Sequence, residues 1–297
     1  MDLISSADGT TARVAIPGGR LSAKEWAHLV RMAQAGDGRL HITSRGNVQI
    51  RGVDTAELAE PMWPEAAVIA SPHSPVCAQL AREVAKRLPV GAPLVALDDG
   101  SGDALGHGAA HAMTVRGECA TVHGVSGELN HSSAVESLSR LEGAADSAPT
   151  SPVRLGWIEQ PDGRVSIAGM PPLGTLSEQI IQMIQALETD VSVTHTRAIV
   201  LHDLEEGVAE AVVRVLAPLG ISFDQNSTLS LVTACVGSGC RFSVSDVRRD
   251  ALQLAATGVD ERTHFVGCSI GCGRPHGAYV DYEATGEGEY EVSQRGM

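Results

Sequence analysis

The sequence predicts an α+β protein built from two similar halves, and three observations carry that expectation. Residues 13–50 and 164–201 repeat one another: both open Arg-Val-x-Ile, both reach Gly-x-Leu-Ser, and both close in an alternating stretch holding Ser or Thr with Arg. Each repeat sets a helical apolar stripe between short strand-like runs. The length of 297 residues, 43% of them hydrophobic and 20% charged, supports large packed cores and is unlike a disordered chain.

In the first repeat, Ser22-Ala-Lys-Glu25 is a capping box, Trp26, Leu29, Val30 and Ala33 form one helical face, and Gly36 ends the helix. The strand that follows carries Arg45, Asn47, Gln49 and Arg51 in alternation, which would put them on one face. A mixed segment, roughly 62–142, holds a helix around Cys77–Leu88, a strand at Pro93–Leu97 and an Asp98-Asp99-Gly100 turn. Gly143–Val153, rich in Gly, Ala, Ser and Pro, reads as a linker. The second repeat uses Ser177 as N-cap and Ile180, Ile181, Ile184 and Leu187 as its stripe. Arg197 follows Leu176 by 21 residues and Arg45 follows Leu21 by 24, so the two arginines read as equivalents. In the last segment, Thr228–Thr233 and His264–Gly267 read as strands, and Ser243-x-x-Asp246 caps a helix running to about Thr257 with Gly258 as its stop. The implied divisions are 1–61, 62–142, 143–201 and 202–297.

Charge narrows the partners. There are 36 acidic against 22 basic residues, a formal charge of −14, which disfavours sequence-independent nucleic-acid binding. Only Lys24 and Lys86 are lysines, so any anion site must be built mainly from arginine, which grips carboxylates through a planar fork. No apolar run approaches the ~18 residues of a membrane span, and Met1-Asp-Leu-Ile has no basic n-region, so a cytoplasmic protein off the membrane is expected.

Six cysteines without an export signal point to metal or redox chemistry. Cys77 and Cys119 stand alone and read as small buried hydrophobes. The other four form Cys235-x4-Cys240 and Cys268-x3-Cys272, each pair on a glycine-rich loop at a strand end. Structural zinc favours tighter x2 gaps, whereas a 4Fe-4S cluster takes four thiolates and gains from loop N–H groups aimed at sulfur. The spacing favours the cluster and leaves zinc or free thiols open.

The stretches Gly18-Gly-Arg-Leu21, Ile42-Thr-Ser-Arg-Gly-Asn-Val-Gln49, Val68-Ile-Ala-Ser-Pro72, Thr233-Ala-Cys235 and Gly267-Cys-Ser-Ile-Gly-Cys-Gly-Arg-Pro275 resemble the sulfite/nitrite reductase superfamily. Ala96-Leu-Asp-Asp-Gly100 narrows the resemblance to its precorrin-3B synthase family. The resemblance covers nearly the whole chain. It implies duplicated ferredoxin-like units plus α/β half-domains in a pseudo-twofold arrangement, with Cys235, Cys240, Cys268 and Cys272 holding a 4Fe-4S cluster. The chain departs from the family in a first cysteine gap one residue short of C-x5-C, and in a shorter first half-domain.

Sulfite and nitrite reductases of this superfamily, which carry sirohaem, use a Lys-x-Lys pair that this chain has nowhere; the corresponding strand reads Pro93-Leu-Val-Ala-Leu-Asp98. Precorrin-3B synthases are known as oxidising the tetrapyrrole precorrin-3A with dioxygen, hydroxylating the macrocycle and closing a γ-lactone. That activity implies a polycarboxylate cleft using Arg45, Asn47 and Gln49, with Arg51, Arg197 and Arg274 as further candidates. A solvated strand face is the plain alternative for the alternating set. The family is also associated with a mononuclear non-haem iron, whose ligands the chain does not identify; His264 and His276 flank the cluster loop, where histidines are usually structural. No G-x-G-x-x-G follows a strand, so electrons would come from a separate reductase. Two other readings stand beside this one: a sirohaem-type reductase of altered specificity, and a noncatalytic cluster protein that carries electrons or senses redox state.

Overall fold

In a computed structural model, which describes residues 2–6, 9–55, 62–144, 151–275 and 277–296, the repeat becomes a pair of interlocked sheets. The first repeat supplies β1 (Asp2–Ser6), β2 (Gly9–Val14), β3 (Arg20–Leu21), α1 (Ala23–Gln34), β4 (Leu40–Ile42) and β5 (Val48–Ile50). The capping box forms as the sequence predicts: Ser22 Oγ accepts from Glu25 N, and the Glu25 carboxylate accepts from Ser22 N at 2.7 Å. Trp26, Leu29, Val30, Met32 and Ala33 are the buried face of α1. Half-domain one follows with β6 (Val68–Ala70), α2 (Pro75–Ala85), β7 (Val95–Asp98), β8 (His111–Arg116), β9 (Cys119–Val122), β10 (Leu129–Asn130) and α3 (His131–Ser139).

The second repeat supplies β11 (Gly156–Glu159), β12 (Val165–Gly169), β13 (Thr175–Leu176), α4 (Glu178–Gln185), β14 (Val191–Val193), β15 (Ile199–Leu204) and α5 (Glu206–Leu216). Half-domain two is β16 (Val232–Ala234), α6 (Val247–Thr257), β17 (Thr263–Val266), β18 (Tyr279–Gly286) and β19 (Glu289–Arg295). Its first three strands are parallel and β19 is antiparallel, which mirrors β6, β7, β8 and β9 of half-domain one. Such βαβ crossovers cover the sheet with helices and bury its central strands, as in the wholly buried β7.

The two repeats exchange their shortest strands. The first sheet runs β1-β2-β5-β4-β13, and the second runs β11-β12-β15-β14-β3. Leu21 therefore pairs with Val191 of the second repeat, while Leu176 pairs with Leu40 of the first. Both sheets close on one hydrophobic core containing Leu21, Leu40 and Ile50 together with Ile167, Leu176 and Val191. Trp26 Nε1 donates across it to Ile181 O at 3.1 Å. Leu21 and Leu176 are each 0% exposed, so each exchanged strand contributes on the order of 2 kcal/mol of burial from its leucine alone.

Some local expectations change. Thr228–Ser230 is a single 3-10 turn, because Ser227 Oγ caps Leu229 N and bends the chain before β16. Asp246 alone caps α6, since the Ser243 hydroxyl donates to Ser245 O. Cys77 is buried as expected, but Cys119 is exposed, because strand alternation turns it outward on β9. Residues 145–150 of the expected linker lie outside the described residues. No helix among the described residues is long and apolar enough to cross a membrane.

Candidate functional site

Cys235 follows β16 directly, and Cys268 and Cys272 sit on the loop after β17. The cysteines thus gather at the carboxyl ends of adjacent parallel strands, where open α/β sheets bind ligands. All four thiols line one cavity of about 290 Å³, which Arg51, Phe242 and Ile270 also border. A 3-10 turn at Gly237–Gly239, with Cys240 N donating to Gly237 O at 2.8 Å, brings Cys240 onto this wall despite its short spacing. Gly267 has no alternative residue, because a Cβ there would lie 1.9 Å from Ser243 Oγ.

Two loop N–H groups already point at sulfur: Gly237 N and Gly267 N donate to Cys235 Sγ at 3.4 and 3.3 Å. Burial, and then the neighbouring Cys235, Cys268 and Cys240, push the Cys272 thiol up, while Arg51 acts the opposite way. A single tetrahedral zinc would hold its sulfurs about 3.8 Å apart. Among the described residues, no three of these thiols lie within 4.8 Å of one another. Four convergent thiols, spread too widely for one ion and supplied with N–H donors, fit a polynuclear iron–sulfur cluster.

Half-domain one keeps the same loop scaffold without the thiols. Ser71 N donates to Leu97 O as Cys235 N donates to Phe265 O. Asp99 N donates to Ser71 Oγ at 3.1 Å, in the place of the Gly267 donor to Cys235 Sγ. The loop after β7 carries Asp98, Asp99 and Asp103, with Asp98 accepting from the N–H groups of Gly100, Gly102 and Ala104. Burial pushes the Asp103 carboxyl up to about 6.

The arginines and their neighbours fall into different settings from those expected. Arg45 and Asn47 lie in the turn before β5, so only Gln49, within that strand, and Arg51, just beyond it, can share a face. The reason is local: Thr43 N donates to Asn47 O, and Asn47 N donates to Thr43 Oγ1, which closes a tight turn. Asn47 is buried, its Oδ1 accepting from Ile16 N at 2.9 Å, while Arg45 is exposed. The same turn recurs at Thr194–Ala198, with Arg197 N donating to Thr194 O as Gly46 N donates to Thr43 O. Arg197 (φ +67°) is therefore the equivalent of Gly46 (φ +63°), and Thr196 that of Arg45, which corrects the sequence alignment by one residue.

Arg197 is half-buried with its stem against Gly174, and no carboxylate among the described residues pairs with it. Burial and then Arg262 pull its guanidinium below the ordinary arginine range. Its charge also reaches His264, beside the cysteine loop. Arg274 is already engaged, bonding Asp281 and Glu283 at 2.7 Å each. Arg248 was not foreseen: from the first turn of α6 it donates to Thr175 Oγ1 at 2.8 Å, with its charge near Cys235 and Arg51. Nothing in the sequence separates it from Arg249, which pairs with Glu287 on the surface. His264 bridges Thr233 Oγ1 and Cys272 O, and burial pulls it down to about 4. His276 lies outside the described residues.

Residues 4–62 match the nitrite/sulfite reductase ferredoxin-like half domain. The chain is similar in structure to the NirA protein of Mycobacterium tuberculosis, with a TM-score of 0.66 and 14% identity over 96% of this chain and 73% of that one. No curated protein matches it by sequence. The fold is thus sulfite/nitrite reductase-like, with duplicated ferredoxin-like units and α/β half-domains.

Proposed function

We propose that this protein is an oxidoreductase of the precorrin-3B synthase type, acting on the polycarboxylate tetrapyrrole precorrin-3A with dioxygen. One oxygen atom enters the macrocycle, where hydroxylation is followed by γ-lactone closure, and the other leaves as water with two electrons and two protons from an external reductase. The observation that carries this reading is a cavity of four thiols bordered by arginine and without lysine. Cys235, Cys240, Cys268 and Cys272 would hold a 4Fe-4S cluster, which supplies one-electron transfer when bound.

The remaining work falls to the chain's own side chains. Arg197, with no carboxylate partner among the described residues, offers a planar fork to a substrate carboxylate from the second unit. Arg51 borders the thiol cavity from the first unit, with its charge acting on Cys272. Phe242 and Ile270, 46% and 63% exposed, present apolar surface at the same cavity to the face of a macrocycle. Such a local arginine site overcomes the repulsion of a chain carrying −14 overall.

A sirohaem-type sulfite or nitrite reductase is the second reading, favoured by the half-domain match at residues 4–62. Against it, Val95–Asp98 is wholly buried and carries no lysine, while Lys24 and Lys86 are exposed on α1 and at the end of α2. Reconstituting the protein anaerobically, then adding precorrin-3A, reductant and dioxygen, tests the choice. The expected product is heavier by one oxygen atom; sulfite or nitrite reduction with bound sirohaem, and no such product, would favour the second reading.

A further inference from the structure

His264 sits at the join between sheet and cysteine loop, and its two nitrogens have different duties. It lies on β17, 1% exposed, with Nδ1 at 2.7 Å from Thr233 Oγ1 of the adjacent β16 and Nε2 at 3.0 Å from the carbonyl oxygen of Cys272. A carbonyl only accepts, so Nε2 must carry the proton. In a neutral ring Nδ1 is then the acceptor, and the Thr233 hydroxyl, which also lies 3.2 Å from Thr263 O, gives its one proton to the closer Nδ1. The tautomer is fixed by its neighbours, with Thr233 as the anchor.

That bond settles the direction of a peptide. The Cys272–Gly273 unit is planar and trans, so its N–H points opposite to the carbonyl held by His264. Gly273 has φ +81°, a conformation that L side chains rarely adopt, and its N–H has no acceptor among the described residues. The adjoining thiol, Cys272, lines the cavity with the other three.

We propose that His264, anchored by Thr233, is a positioning residue that turns the Cys272–Gly273 peptide so that the Gly273 N–H is presented to sulfur at the thiol cavity. This role rests on the cluster reading above. It extends to the fourth cysteine the arrangement that Gly237 and Gly267 already show at Cys235. N–H donors to sulfur stabilise the more negative, reduced state of a cluster and raise its potential.

The test uses the full-length protein reconstituted with iron and sulfide, and variants His264→Phe, His264→Gln, Thr233→Val and Thr233→Ser. His264→Phe fills the site but donates nothing, whereas the Gln amide places a donor near the Nε2 position. His264→Phe should release iron to a chelator about fivefold faster, the factor of one ordinary hydrogen bond, and move the cluster to a more negative potential. Gln should restore most of both properties. Thr233→Val should move both the same way by less, and Thr233→Ser should match wild type. If His264→Phe fails to fold, the Thr233 pair carries the test. Wild-type potential in His264→Phe and Thr233→Val, or equal damage from Gln and Phe, overturns the positioning role alone. A wild-type chain that takes up no iron and sulfide overturns the cluster reading as well. Nitrogen-15 spectra of labelled histidine must show the Nε2–H tautomer; Nδ1–H would refute the geometry.

Discussion

Arg197→Met separates a ligand-binding cation from a structural one. The substitution keeps an unbranched stem over Gly174 and the same left-handed backbone at φ +67°, so it changes chiefly the charge. No carboxylate among the described residues pairs with Arg197, and burial pulls its guanidinium below the ordinary arginine range, so the ligand-free fold bears an uncompensated charge. Removing it should leave the melting temperature unchanged or raised. A charged hydrogen-bonded pair with a substrate carboxylate contributes about 1.5–3 kcal/mol, so affinity for a polycarboxylate tetrapyrrole should fall roughly 10- to 150-fold. Absorbance titration of the tetrapyrrole against wild type and variant reads the second effect, and thermal unfolding reads the first. Arg45→Ala is the control: the residue is exposed on its turn, where a screened contact changes affinity by a few-fold at most. Full affinity combined with a lowered melting temperature in Arg197→Met would refute the argument, because Arg197 would then be holding the fold together.

Replacing any of Cys235, Cys240, Cys268 or Cys272 by Ser should abolish broad sulfide-to-iron absorption; stoichiometric zinc without iron in the wild type would contradict this. Leu176→Ala should cost about 2–5 kcal/mol and still unfold in one transition, since its strand belongs to the other unit's sheet. Two separated transitions in denaturant would show that the units are independent. Asp103→Asn bears on pH. Burial pushes the native carboxyl up to about 6 from an ordinary 3.8, so the unfolded chain ionises first and wild-type stability falls as pH rises from about 4 to 6. The variant should be more stable than wild type at pH 8 and lose that advantage near pH 4, as thermal unfolding across this range would show.

Local chemistry was legible because it acts over a few residues. The Ser22 and Ser177 caps, the apolar stripes of α1 and α4, and the glycine-rich placement of Cys235, Cys268 and Cys272 depend on spacing that a linear chain displays directly. So did the duplication itself. Composition, with two lysines against twenty arginines, weighted any anion site towards arginine, which no folding step could alter.

Tertiary structure decided what depends on partners far along the chain. The exchange of β3 and β13 is invisible in the sequence, because two-residue strands have no period, and their neighbours lie 134 or more positions away. The alignment of Arg45 with Arg197 was one residue out because hydrogen bonding, rather than residue identity, defines the turn; Gly46 and Arg197 share its left-handed position. Whether an arginine is available was likewise a matter of its surroundings. Arg274 is engaged by Asp281 and Glu283 only because β18 lies beside its loop, while Arg197 has no carboxylate partner among the described residues. Side-chain type and spacing were written along the chain; which charges were neutralised was decided when distant segments packed together and excluded water.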